Sequence, residues 1–124
     1  MSDPASILVV DDSPTARRTT ENTLAQAGYH VITADDGEDA LNVFASQQPD
    51  AVILDIVLPK KNGFQVCRQL KAETQSDAKV LMLTSKSQES DRIWGQRQGA
   101  DDYLTKPYEP RQLLDSLQQL LSGS

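Results

Sequence analysis

The chain has one cysteine, Cys67, and one histidine, His30, among its 124 residues. A single thiol excludes an internal disulfide and a thiolate metal cage. His30 opens an apolar stretch with no other ligand types beside it, so it reads as structural rather than as a phosphate relay. Long apolar runs are also missing: none approaches the roughly 18 residues that a bilayer crossing needs. Met1 leads into Ser2, Asp3 and Pro4, not into the basic and then apolar start of a secretion signal. A cytoplasmic location without membrane insertion is therefore expected. Positive charge is in deficit, with a net charge of −6. No basic stripe appears, which argues against nucleic acid as a partner. No repeat or linker divides the chain, so residues 1–124 are expected to form one domain.

Charged residues make up 24% and hydrophobic residues 38%, the balance of an ordinary globule that can bury a core without staples. Four short apolar runs stand out: Ile7-Leu8-Val9-Val10, Val31-Ile32, Ala51-Val52-Ile53-Leu54 and Val80-Leu81-Met82-Leu83. A weaker fifth spans Asp102 to Thr105. Most are continuous, which suits strands buried on both faces of a parallel sheet. Between them lie helical patterns. Ser13-Pro14 reads as an N-cap and first helical position, with Gly28 as the stop. Gly37 to Gln47 carries Ala40, Leu41, Phe44 and Ala45, and Pro49 follows its end. Asn62 to Thr74 carries Phe64, Cys67 and Leu70. Gln88 to Gln98 carries Ile93 and Trp94. Pro110 opens a last helix with Leu113, Leu114, Leu117, Leu120 and Leu121, leaving Ser122-Gly123-Ser124 as a tail. Strand and helix thus alternate five times, which predicts an α/β fold with a parallel sheet and helices on both faces.

In such sheets ligands bind beyond the carboxyl ends of the strands. The first run ends in Asp11-Asp12, the third in Asp55 and the fourth in Thr84-Ser85, and the fifth is followed by Lys106-Pro107. Three clustered carboxylates either raise their pKa values or recruit a cation. Oxygen-only ligands favour a hard ion; magnesium suits a site with few protein ligands, while residue types alone leave calcium open. Such a metal would offset the charge and prepare one carboxylate to attack phosphorus; Lys106 would then neutralise a phosphoryl oxygen and the Thr84 hydroxyl would bind another. Phosphoryl transfer asks mainly for such positioning and charge stabilisation, and a carboxylate can serve as its nucleophile. Each piece alone has a plainer reading, as a turn, a cap or a solvated lysine. The signal is the set, with each member at a strand end.

This set resembles the receiver domain of two-component response regulators, the CheY-like family. The likeness rests on Ile7-Leu8-Val9-Val10-Asp11-Asp12, Asp55-Ile56-Val57-Leu58-Pro59 with Gly63, Leu83-Thr84-Ser85, and Lys106-Pro107. It implies a flavodoxin-like (βα)5 sheet in the order 2-1-3-4-5, with Asp11, Asp12 and Asp55 as neighbours. It also implies that Asp55 is phosphorylated by a histidine kinase. Mg2+ is then held by Asp11, Asp12, Asp55 and the Val57 backbone carbonyl. Thr84 and Lys106 hold the phosphoryl group, Tyr103 acts as the aromatic switch, and the Lys106-Pro107 bond is cis. Val57 and Lys86 stand where the family tunes phosphoryl lifetime, and an apolar Val57 implies slow loss.

The stretch Gln88 to Ala100, continuing through Asp102-Tyr103-Leu104-Thr105-Lys106-Pro107, is similar to PilH-type regulators, and Trp94-Gly95-Gln96-Arg97-Gln98-Gly99-Ala100 is its distinctive part. These are single-domain proteins of chemosensory systems that control type IV pili, twitching and, in some bacteria, phototaxis. That likeness implies a CheA-like kinase as phosphodonor. Output then passes through protein contacts, with Trp94, Tyr103 and Tyr108 as the candidate partner surface. Arg17-Arg18 read as a solvated helix face rather than as the approach to the site. With the sequence stopping at Ser124, no attached output domain is expected. The expected choice is therefore between a regulator whose face at Gln88–Gln98, the last strand and the last helix binds a target, and a phosphate sink for the kinase. The chain is expected to be a self-catalysing acceptor rather than a turnover enzyme. A haloacid-dehalogenase-type phosphatase also phosphorylates an aspartate after a strand, but it needs a second Asp where Val57 stands. A flavin carrier of the same fold class would be repelled by Asp11-Asp12.

Overall fold

Successive residues of a strand point to opposite sides, so a strand covered on both faces needs apolar side chains at consecutive positions. The continuous runs are used in that way. The computed structural model describes residues 4–56, 63–73, 78–84, 99–106 and 108–122. They form β1 (Ser6–Val10), α1 (Pro14–Gln26), β2 (His30–Ala34), α2 (Gly37–Gln47), β3 (Ala51–Asp55), α3 (Gly63–Glu73), β4 (Lys79–Thr84), β5 (Asp102–Thr105) and α4 (Pro110–Ser122). The five strands make one parallel sheet in the order β2-β1-β3-β4-β5. This is the expected flavodoxin-like arrangement. The helix predicted over Gln88–Gln98, with Trp94, lies outside the described residues, as do Val57, Lys86 and Pro107.

Leu8, Val10, Val52, Leu54, Val80 and Met82 face one side of the sheet, where Ala40 and Phe44 of α2 and Val66, Cys67 and Leu70 of α3 cover them. Ile7, Val9, Ala51, Ile53, Leu81 and Leu83 face the other and meet Leu24 of α1 and Leu113 and Leu117 of α4. Full burial of one such large side chain stabilises the fold by about 1.5–3 kcal/mol.

The helix ends follow from local chemistry. Ser13 caps α1, its Oγ accepting from the Ala16 N–H at 3.3 Å, and Pro14 needs no amide partner in the first turn. At the other end Gly28 takes φ +97°. Its N–H donates to Ala25 and the Tyr29 N–H donates to Leu24, at 3.0 and 3.1 Å, the paired bonds of a Schellman stop. Asp36 caps α2 through the Asp39 N–H at 2.8 Å.

Boundaries differ from expectation at two elements, β2 and α4. β2 extends beyond Val31-Ile32 to His30–Ala34 because it pairs along all of β1. As an edge strand it is only partly buried, so its apolar signal is weaker. Of the helix expected from Asn62 to Thr74, Gly63–Glu73 is described. Ser122 belongs to α4 rather than to a tail, and its Oγ donates back to the Gln118 carbonyl at 2.8 Å.

At the amino edge of the sheet, Lys71 of α3 donates to the Ala78 carbonyl at 3.0 Å and to Asp101 at 2.7 Å. Asp101 also accepts from the Val80 N–H at 2.8 Å. These bonds tie the end of α3 to the starts of β4 and β5. Cys67 lies one turn earlier, fully buried. Burial pushes its thiol up to about 11, with Lys71 pulling down and Asp101 pushing up. Among the described residues, no helix is long and apolar enough to cross a membrane.

Gln48 closes α2 in the left-handed region, at φ 49° and ψ 61°. That conformation costs an L-residue about 1–2 kcal/mol, against which glycine loses about 0.5–1 kcal/mol of chain entropy. Gln48→Gly is expected to raise stability by about 0.5 kcal/mol, and Gln48→Val to lower it by about 1 kcal/mol. Urea unfolding of the pair checks both signs.

Candidate functional site

Four strand ends meet at the carboxyl edge. Asp11 follows β1 and is 2% exposed; Asp55 ends β3 and is 8% exposed. The Asp11 N–H donates to the Ala34 carbonyl at 3.2 Å, carrying the β1–β2 pairing one step further. Asp11 Oδ1 then accepts from the Ser13 N–H at 2.9 Å, a turn closed by the aspartate's own side chain. Asp12 lies between them, exposed. Asp55 sits opposite Leu83 in the β3–β4 register, and the Ile56 N–H donates to the Leu83 carbonyl at 3.1 Å.

One carboxylate oxygen from each of Asp11, Asp12 and Asp55 lies within 4.8 Å of the others. Lys106, just past β5, reaches into this group. Its Nζ donates to Asp55 Oδ2 at 2.9 Å and to Asp11 Oδ2 at 3.3 Å. Burial opposes the charge on Lys106. The hydrogen bond to Asp55 and the charges of Asp55 and Asp11 outweigh it, so the ammonium is held above the usual lysine value of 10.5. Among the described residues, one ammonium faces the three carboxylates. The surplus negative charge and the oxygen-only donor set fit a hard divalent cation. The structure brings Asp11, Asp12, Asp55 and Lys106 together. Thr84 ends β4 with its backbone opposite Thr105; its side chain lies outside the described residues, as does the Val57 carbonyl.

The structure separates two aromatic candidates. Tyr103 is half-buried against the cluster under α2 and α3. Tyr108 packs on the opposite face, and its hydroxyl shares a 3.0 Å hydrogen bond with the Thr20 hydroxyl of α1. Beside Tyr108 and Lys106 a cleft of about 520 Å3 opens against Ala16, Thr19 and Thr23 of α1. Thr19 and Thr23 each donate to the carbonyl four residues back at 3.0 Å.

Arg17 departs from the solvated-face reading. Its Nη1 donates to the Asp11 backbone carbonyl at 2.7 Å, which braces the turn carrying Asp11 and Asp12. Side chains on a helix lean toward its N-terminus. A long cation in the second turn of a helix that starts at the site is the signal that points to this contact. Arg18 is exposed, as expected.

An acidic trio answered by one lysine, at the strand-order switch of a 2-1-3-4-5 sheet, defines a flavodoxin-like α/β protein fitted to hold a cation. The response regulator receiver domain model matches residues 7–118. Protein PilH of Pseudomonas aeruginosa is 43% identical over 120 residues, 96% of this chain and 99% of PilH. Among solved structures, chemotaxis response regulator CheY4 of Vibrio cholerae superposes with a TM-score of 0.90 at 35% identity, covering 95% of this chain and 99% of CheY4. The BeF3-activated receiver domain of RstA from Klebsiella pneumoniae does so with a TM-score of 0.88 at 32% identity, covering 94% and 98%. The chain belongs to the response regulator receiver domain family. Seven further curated relatives are longer proteins, and the chain spans about half their length, 41% to 51%.

Because the Lys106 ammonium is stabilised on folding, its contribution is complete below the unfolded value and is lost as pH rises through the higher folded value. Lys106→Met is expected to cost about 2 kcal/mol near neutral pH. In magnesium-free buffer, the gap between the two proteins in urea unfolding should stay constant up to about pH 9 and narrow above about pH 10.5.

Proposed function

We propose that Asp55 accepts a phosphoryl group from the phosphohistidine of a histidine kinase and that the chain signals through protein contacts. The observation that carries this reading is the Lys106 bridge to Asp55 and Asp11, at 2.9 and 3.3 Å, beside a third carboxylate. An Asp55 oxygen attacks phosphorus while the P–N bond breaks, and the imidazole leaves with the electron pair of that bond. Asp11, Asp12 and Asp55, with the Val57 carbonyl, would hold Mg2+, which supplies charge neutralisation at the phosphoryl oxygens. Lys106 exchanges its carboxylate partner for a phosphoryl oxygen, and the Thr84 hydroxyl binds another. The chain then acts once per phosphoryl group, as an acceptor rather than a turnover enzyme.

The finer reading is a regulator of pilus motility, twitching or phototaxis fed by a CheA-like kinase in the cytoplasm. Its support is the PilH likeness, which runs over nearly the whole of both chains. In this reading Tyr103 and the segment bearing Trp94 carry the output.

Phosphotransfer from candidate histidine kinases is expected to label the wild type and not Asp55→Asn, with the label released by hydroxylamine as an acyl phosphate should be. Equal labelling of both proteins would sink the acceptor assignment. A pull-down with and without beryllofluoride is expected to recover a target other than the kinase only from the activated sample. Recovery of the kinase alone would make the chain a phosphate sink.

A further inference from the structure

We propose that Gly63 is a positioning residue for the phospho-acceptor: its missing side chain lets α3 begin directly on the backbone of Asp55 and Ile56. This rests on the reading of Asp55 as acceptor. Gly63 is buried, and its N–H donates to the Ile56 carbonyl at 2.7 Å. A Cβ at this position would stand 2.6 Å from the Ile56 Cα and 3.0 Å from the Asp55 carbonyl carbon, at or below the closest approach that real Cβ atoms make. The obstructing atoms are main chain, so no side-chain rotation relieves them.

The backbone conformation does not require glycine here. Among the described residues, the glycines at positive φ are Gly28 and Gly99. Gly28 is the converse case: it needs its φ of +97°, while a Cβ there would meet nothing within 4 Å. The requirement at Gly63 is therefore one of space.

Neither side can easily yield. The end of β3 is held from the opposite flank by the bond from the Ile56 N–H to Leu83 at 3.1 Å. α3 is held by Val66, Cys67 and Leu70 in the core. A methyl group at Gly63 must shift the backbone of Asp55 and Ile56, lift α3, or do both. Asp11 and Lys106 come from β1 and β5 and do not follow such a shift. The Asp55 carboxylate would then lose register with them, and a small misplacement at a reacting group is costly.

The test compares Gly63→Ala with Gly28→Ala, which carries its own strain at positive φ away from the acceptor. Magnesium affinity is measured by calorimetry, and phosphorylation by acetyl phosphate, which needs no kinase docking. Gly63→Ala is expected to weaken Mg2+ binding about tenfold and to slow labelling at saturating Mg2+ by about tenfold or more. Gly28→Ala should lose stability and keep both values. Wild-type values in Gly63→Ala, equal losses in the two variants, or a Gly63→Ala chain that does not fold even in the cold would each overturn the proposal. If the wild type itself takes no label, the acceptor reading fails, and the magnesium titration still decides the role of Gly63.

Discussion

Parallel strands send all their carboxyl ends to one edge, and the site depends on that constraint. β1, β3 and β5 deliver Asp11, Asp55 and Lys106 to a single point because the sheet runs in the order β2-β1-β3-β4-β5. Two nearly buried carboxylates beside each other would repel strongly in a low-dielectric setting. The Lys106 ammonium answers both, at 2.9 and 3.3 Å. The edge is thus held by a charge balance that one arriving cation or phosphoryl group must redistribute. The two apolar layers serve this arrangement by fixing the strands from which the charges project.

The elements were legible where one local signal decided them. Ser13-Pro14, the Gly28 stop and the limits of α2 depend on caps and turn chemistry that neighbouring residues supply. Continuous apolar runs told of burial on both faces because the alternating side chains of β1 and β3 do meet a helix layer each. β2 was legible only at its centre, since an edge strand is half-exposed and its pattern is diluted. Strand order did not come from periodicity at all. It came from the resemblance, because nothing in an apolar run says which neighbour it pairs with.

At the site, residue types and strand ends sufficed for Asp11, Asp12, Asp55 and Lys106. Arg17 was misread because an arginine in a polar helix turn has the same local sequence signature whether it faces water or folds back over the N-terminus. The steric role of Gly63 was likewise hidden. It arises from contact with a backbone segment of β3 that only tertiary packing brings there. Tyr103 and Tyr108 are close in sequence and look like one surface, yet strand alternation and the turn after β5 set them on opposite faces of the sheet.

The lone thiol has a consequence of another kind. Cys67 is fully buried, and burial raises its pKa to about 11. At neutral pH only about one molecule in ten thousand would carry the thiolate, and oxidants and electrophiles react with the thiolate. While the protein is folded, Cys67 is thus a poor target for disulfide exchange and for oxidation at sulfur.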